Sequence, residues 1–150
     1  MKIALLADIH GNDIALDAVL DHIKEQSGVD EYWILGDLVA LGHAPVNVLE
    51  RLKELPNTKF IRGNTDRYTC TGDRPLPTRE DVKADIQLLD QILGIEGNFS
   101  WTLGAVTNTG WFEWLSKLPV QFSDTLPDGT RVLSVHASPN TDDGDRKAHV

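Results

Sequence analysis

The chain has 150 residues, a length that suits one domain spanning residues 1–150. Its formal charge of −9 disfavours non-specific binding to nucleic acid or an anionic membrane, because those surfaces reward clustered Lys and Arg. The single cysteine, Cys70, excludes a disulfide within the chain and allows a reducing compartment, so we expect a cytoplasmic protein. No sequence stretch is apolar over the length of a membrane span.

The first 64 residues alternate strand and helix patterns. The apolar runs Ile3–Ala7 and Glu31–Leu35 predict strands buried on both faces, and Lys59–Ile61 predicts a third, short strand. Helical spacing of apolar residues runs from an N-cap at Asn12 or Asp13 to Gly28, and again from Pro45 to Pro56. The order β-α-β-α-β predicts a parallel sheet with right-handed crossovers, whose strand carboxyl ends form a ligand crevice.

The second half has a different pattern. Residues Arg67–Thr78, rich in Thr, Gly and Pro, predict a long loop. Apolar spacing predicts a helix over Glu80–Leu93 and a short helix over Trp111–Leu118.

A predicted hairpin follows these helices. Val120–Thr125 and Arg131–Val135 flank a Pro-Asp-Gly turn, and the second strand ends on His136. Residues 140–150 are polar and acidic and predict a poorly ordered tail.

Potential metal ligands follow the predicted strands. They are Asp8, His10, Asp37, Asn64, Asp66 and His136. Their mixture of carboxylate, imidazole and amide groups suits Mn, Fe, Co, Ni or Zn better than Ca or Mg. Each residue alone also fits a plain role, such as a helix cap at Asn64, and only their joint occurrence favours a metal site. Asp66 fits hydrogen bonding within its own loop better than metal contact.

Four segments, each after a predicted strand, resemble in order the motifs of the calcineurin-like metallophosphoesterase superfamily. They are Asp8-X-His10-Gly11-Asn12, Gly36-Asp37, Gly63-Asn64-Thr65-Asp66 and Val135-His136-Ala137. The resemblance runs from Met1 to about Pro139 and is strongest to a bacterial and archaeal phosphodiesterase-like branch. It implies an α/β/β/α sandwich whose C-terminal part is incomplete in this chain.

The resemblance also implies a binuclear centre of two divalent ions, Mn²⁺, Fe²⁺, Ni²⁺, Co²⁺ or Zn²⁺. Asp8 and His10 would hold the first ion, Asp37 would bridge both, and Asn64 and His136 would hold the second. A hydroxide bridging the ions would attack the phosphorus of a small phosphomonoester or phosphodiester, with Asp37, Asn64 and His136 as catalytic residues.

Two features depart from the superfamily. Thr65 stands where many members have a His that assists the leaving oxygen, which favours substrates with good leaving groups; His43 and Asp66 are weak substitutes. The last motif of the superfamily, Gly-His-X-His, is absent, and His149 stands alone near the end. A truncated enzyme, a partner chain that supplies the ligands, and a chain without catalysis would each explain this absence.

Two further expectations follow from these departures, and a third comes from the arginines near the Gly63-Asn64 motif. A sheet edge left open by truncation would favour a homo-oligomer. The alternative to an enzyme is a catalytically impaired scaffold that binds a protein, as in the eukaryotic retromer subunit that resembles this superfamily. Arg67 or Arg74 could hold a phosphate bidentately, although a surface arginine without that role is the plainer interpretation.

Overall fold

The computed structural model describes residues 1–143, which form two sheets and six α-helices. The strands are β1 (Ile3–Leu6), β2 (Glu31–Leu35), β3 (Thr58–Ile61), β4 (Gln121–Thr125) and β5 (Arg131–Val135). The helices are α1 (Asp13–Glu25), α2 (Pro45–Glu54), α3 (Asn64–Thr71), α4 (Arg79–Ala84), α5 (Leu89–Asn108) and α6 (Phe112–Ser116). No helix within residues 1–143 is long and apolar enough to cross a membrane.

The predicted parallel sheet is confirmed, with strand order β1-β2-β3. Leu6, Ile34 and Phe60 are partners across the three strands and face the helices, where Leu6 and Ile34 join Leu16 of α1 and Leu49 of α2 in the core. Asn12 caps α1 as expected, since its side chain accepts the amide hydrogen of Ala15 at 3.0 Å.

The predicted hairpin, β4 and β5, covers the opposite face of the sheet over β2 and β3. Trp33 of β2 packs edge to face against Phe122 of β4, with ring centroids 5.2 Å apart. The ammonium group of Lys59 bonds to Glu31 at 2.9 Å and to Asp124 of β4. Strand β3 is therefore enclosed between helices and hairpin, the layered arrangement of an α/β sandwich.

The prediction that the first strand is buried on both faces is wrong. Strand β1 lies at the edge of its sheet, and the hairpin packs against Trp33 and Lys59, the register partners of Leu5 in the other strands. Leu5 itself remains 63% exposed, whereas Leu6 on the helix side is buried.

The predicted loop over Arg67–Thr78 is wrong in its first part, which belongs to α3. Helix α3 forms because Asp66, in its first turn, accepts the backbone amide hydrogen of Gly63, and because Tyr68 packs edge to face on Phe99. Neither interaction produces an apolar repeat that the sequence could reveal.

The single helix predicted over Glu80–Leu93 is also wrong. Extended backbone at Asp85 ends α4, a 3₁₀ turn follows over Ile86–Leu88, and α5 then continues to Asn108. Three glycines within α5, at positions 94, 97 and 104, hide its helical pattern.

The start of the predicted tail makes defined contacts. Ser138 and Thr141 form an isolated β-bridge, and the carboxylate of Asp142 accepts from the guanidinium of Arg67 at 3.0–3.1 Å. His149 and the rest of the predicted tail lie outside the described residues.

Candidate metal centre

The loops that follow the strands bring all five predicted ligands to one end of the molecule. Asp8 and His10 follow β1, Asp37 follows β2, Asn64 begins α3 after a two-residue link from β3, and His136 follows β5. Backbone hydrogen bonds join the first two loops, from the amide of Asp8 to the carbonyl of Gly36 at 3.1 Å and from the amide of His10 to the carbonyl of Asp37 at 2.9 Å. These bonds fix the spacing of the two ligand loops.

Asp8, His10 and Asp37 form a group that could hold a metal ion. One ligand atom from each lies within 4.8 Å of the others. The Nε2 atom of His10 is 3.6 Å from Oδ2 of Asp37 and 3.9 Å from Oδ1 of Asp8. The Asp8 carboxylate is exposed while Asp37 is buried, so this group opens to solvent on the side of Asp8.

A second group lies on the other side of Asp37. The Nε2 atom of His136 is 3.5 Å from Oδ1 of Asp37 and 3.1 Å from Oδ1 of Asn64. The Nδ1–H of His136 donates to the carbonyl of Leu35 at 2.7 Å. In a neutral ring, Nε2 therefore presents a lone pair to two oxygen acceptors.

Such a convergence of acceptors fits a cation. Ligand atoms bound about 2.1 Å from one ion at right angles lie roughly 3.0 Å apart, close to the contact between His136 and Asn64. The hydrogen bond from Nδ1 to a backbone carbonyl is also the usual way in which proteins orient a metal-binding histidine. The donor set and its spacing thus suit a divalent metal.

Asp37 joins the two groups through its separate carboxylate oxygens. Oδ2 faces His10, whereas Oδ1 faces His136 and accepts the amide hydrogen of Thr65 at 2.9 Å. The residue is 4% exposed and has φ of 56°, a left-handed conformation that is costly for a residue other than glycine. Its surroundings must therefore hold it in place.

Asp66 supplies much of that restraint; it makes the predicted hydrogen bonds, but three of its four donors lie in the loop after β2 and only Gly63 lies in its own loop. Its carboxylate accepts the backbone amide hydrogens of Asp37, Leu38 and Gly63 at 2.9 Å and of Val39 at 3.2 Å. Burial raises the pKa of Asp66 to about 7, against the effect of these amide donors. The side chain has no exposed surface from which to serve a substrate.

Gly63 allows the loops to approach closely. A Cβ atom on Gly63 would lie 2.5 Å from the amide nitrogen of Asp37 and would overlap its carboxylate. No other residue type fits beside Asp37 in this arrangement.

Other residues considered from the sequence have structural roles. The hydroxyl of Thr65 donates to the carbonyl of Val39 at 3.2 Å, and the exposed His43 pairs with Asp13 at 3.1 Å. Arg67 forms ion pairs with Asp73 and Asp142, so its guanidinium is not free to hold a phosphate. Burial raises the pKa of the Cys70 thiol to about 11.

Sequence reasoning missed Arg62. A cavity of about 260 Å³ lies between Arg62 and His136 and is also lined by Ser138 and Asn140. The Nε atom of Arg62 is buried without a hydrogen-bond partner among residues 1–143, and its nearest carboxylate oxygen, in Asp142, is 3.7 Å away. The sequence could have pointed to Arg62, because it follows the end of β3 and stands immediately before the Gly63-Asn64 motif.

Comparisons with known proteins are consistent with this geometry. The sequence model of the family of calcineurin-like phosphoesterases matches residues 1–148. The protein MJ0912 of Methanocaldococcus jannaschii is 31% identical over 137 residues, which cover 91% of this chain and 49% of that protein. A symmetrical bis(5'-nucleosyl)-tetraphosphatase of Erwinia tasmaniensis is 36% identical over 69 residues, or 45% of this chain and 25% of that enzyme.

Two solved structures have the same fold. The protein PH1004 of Pyrococcus horikoshii matches with a TM-score of 0.75 and 27% identity, covering 95% of this chain and 57% of that one. A metallophosphoesterase from Sphaerobacter thermophilus matches with a TM-score of 0.57 and 27% identity, covering 83% and 44% of the two chains. The chain therefore spans about half the length of these relatives.

Proposed function

The chain belongs to the calcineurin-like phosphoesterase family, and on that basis we propose that it is a binuclear metal-dependent hydrolase of phosphate esters. One observation carries the proposal: Asp37 directs one carboxylate oxygen toward His10 and the other toward His136, whose Nε2 atom also contacts Asn64. A carboxylate placed between two groups of ligands is suited to serve two cations at once.

The residues divide between two metal positions. Asp8 and His10 would hold one divalent ion. Asn64 and His136 would hold the other, and Asp37 would bind both ions. The mixed oxygen and nitrogen donors suit Mn²⁺, Fe²⁺, Co²⁺, Ni²⁺ or Zn²⁺. When bound, such ions acidify the attacking water and offset the charge of the phosphate.

The protein itself supplies position and charge. The hydrogen bond from His136 to Leu35 keeps the Nε2 lone pair directed at the site, and Asp66 keeps the Asp37 loop in its left-handed conformation. Arg62 lines the cavity next to His136, where its guanidinium can donate to a phosphate oxygen of the substrate. Substrate would thus lie between the metal ligands and Arg62.

The leaving group receives little help from Thr65. Its hydroxyl is engaged with the carbonyl of Val39 and does not ionise near neutral pH. Asp66 is buried among backbone amides, and His43 is paired with Asp13. We therefore propose a small phosphoester or phosphoanhydride with a good leaving group as the substrate class. We also propose that the protein acts in the cytoplasm.

Turnover by the Mn²⁺-loaded protein tests this proposal. The substrates are bis-p-nitrophenyl phosphate, p-nitrophenyl phosphate and, because of the relatives named as tetraphosphatases, a bis(5'-nucleosyl) tetraphosphate. We expect the Asp37→Asn variant to lose both bound metal, measured by elemental analysis, and turnover. Asp21→Asn, a change at an exposed carboxylate on α1, is the control and should keep both.

Two results would count against the proposal that the protein is an enzyme. Absence of bound metal and of turnover with every divalent ion would overturn the proposal. Tight metal binding without turnover of any of the three substrates would instead favour the scaffold that binds a protein partner.

A further inference from the structure

The turn that follows Asp37 contains two more residues in an unfavourable conformation. Ala40 and Leu41 have φ of 68° and 65°, in the left-handed region that residues with a Cβ atom enter at a cost. Such a turn persists only where surrounding contacts hold it.

The two residues are held in different ways. Ala40 is fully buried and packs with Tyr68 of α3 and Phe99 of α5. Leu41 is 60% exposed, so packing of its own side chain contributes little. Its amide hydrogen is donated at 2.8 Å to the Oδ1 atom of Asn98, a residue of α5 that lies 57 positions later in the chain. Asn98 is therefore a specific restraint on the strained backbone at Leu41.

The turn lies directly against the metal-ligand loop. A Cβ atom on Gly42 would overlap the carbonyl oxygen of His10, which shows how closely the two backbones approach. The amide of Gly11 donates to Leu38 and the amide of Ala44 donates to Gly11, both at 2.9 Å. Movement of the turn would therefore move His10.

His10 depends on this backbone support. Metal-binding histidines are usually oriented by a hydrogen bond from their second ring nitrogen. The Nδ1 atom of His10 is buried and has no hydrogen-bond partner among residues 1–143, unlike Nδ1 of His136. His10 itself has φ of 49°, so its backbone also requires restraint.

We propose that Asn98 is a positioning residue for His10, acting through the Ala40–Gly42 turn. This inference rests on the proposed function, because it takes His10 to be a metal ligand. It assigns to α5, a helix outside the four sequence motifs, the task of holding one metal ligand in place. Asn98 does so with a single hydrogen bond to a backbone amide.

Three variants and one control test the inference. Asn98→Ala removes the acceptor, Asn98→Asp keeps an acceptor oxygen, and Asn98→Ala combined with Leu41→Gly relieves the strain because glycine adopts positive φ readily. Asn108→Ala, at the exposed C-terminal end of α5, controls for the loss of an asparagine from the same helix. The readouts are hydrogen exchange of the Leu41 amide in metal-free protein and Mn²⁺ affinity by calorimetry.

In Asn98→Ala we expect exchange at Leu41 to be at least about 10-fold faster and Mn²⁺ affinity to fall about 10-fold, as for loss of other groups that orient metal ligands. Asn98→Asp should restore both to within about 3-fold, and the double variant should regain most of the affinity while the amide at position 41 still exchanges fast. Asn108→Ala should match the wild type.

The inference is overturned if Asn98→Ala keeps wild-type affinity, if Asn108→Ala loses as much, or if neither Asn98→Asp nor the double variant restores binding. Asp37→Asn separates this failure from failure of the proposed function. Loss of Mn²⁺ in Asp37→Asn with no change in Asn98→Ala would overturn only the role of Asn98, whereas a wild-type protein that binds no Mn²⁺ would overturn the proposed function itself.

Discussion

Replacing Gly63 by Ala should damage the metal site through a steric effect alone. The backbone at Gly63 has φ of −99° and ψ of −174°, which any residue adopts, so the substitution carries no conformational penalty. The added Cβ would lie 2.8 Å from Cγ of Asp37 and 2.5 Å from its amide nitrogen. Because comfortable contacts are about 3.5–4.0 Å, Asp37 and Gly63 must separate by roughly 1 Å.

The size of the effect follows from that displacement. Misplacement of a catalytic group by about 1 Å can cost about 100-fold in rate, and overpacking a buried site costs about 1–3 kcal/mol of stability. We therefore expect Gly63→Ala to reduce Mn²⁺ affinity at least about 10-fold and turnover about 100-fold, and to lower the free energy of unfolding by about 1–3 kcal/mol. Calorimetry, the chromogenic assay and urea denaturation measure these quantities.

Gly104→Ala is the matched control. Gly104 lies within α5, and a Cβ there would meet no atom within 4 Å. Alanine should therefore raise the free energy of unfolding by about 0.5–1 kcal/mol and leave metal affinity unchanged. The steric reasoning is refuted if Gly63→Ala keeps metal affinity and turnover within about 2-fold of the wild type.

Three other predictions address the thiol, the sheet edge and the leaving group. The raised pKa of Cys70 leaves only about one thiolate in 1,000 at pH 8, so a disulfide reagent should react rapidly only after unfolding; rapid reaction in the native protein would contradict this. Leu5→Ala should cost less than about 1 kcal/mol in urea denaturation, whereas Leu6→Ala should cost about 2–5 kcal/mol, and equal costs would contradict the exposure of Leu5 on the face that the hairpin leaves open. Across aryl phosphodiesters, the rate should fall steeply as the pKa of the leaving phenol rises; a flat dependence would indicate an unrecognised general acid.

The parallel half of the fold could be predicted from sequence because its signals are local. Apolar runs mark β2 and its neighbours, Asn12 marks the start of α1, and the polar residues after each strand mark the crevice. Strand carboxyl ends share one edge of such a sheet, so Asp8 and Asp37 could be expected to lie close together before any coordinates were known.

The remaining features depend on contacts between distant parts of the chain. Leu5 and Leu6 look alike in sequence, and only the placement of the hairpin over Trp33 decides which of them is exposed. Helix α3 depends on Asp66 and on Phe99, and neither contributes to an apolar repeat. The bond from Leu41 to Asn98 joins residues 57 positions apart, and no local pattern predicts it.

The central claim is that Asp37 joins two metal positions. Electron paramagnetic resonance of the protein loaded with Mn²⁺ tests it most directly, because two Mn²⁺ ions about 3.5–4 Å apart are magnetically coupled. We predict two Mn²⁺ per chain and the multiline spectrum of a coupled pair. A simple six-line spectrum of isolated Mn²⁺ at every metal loading would contradict the claim.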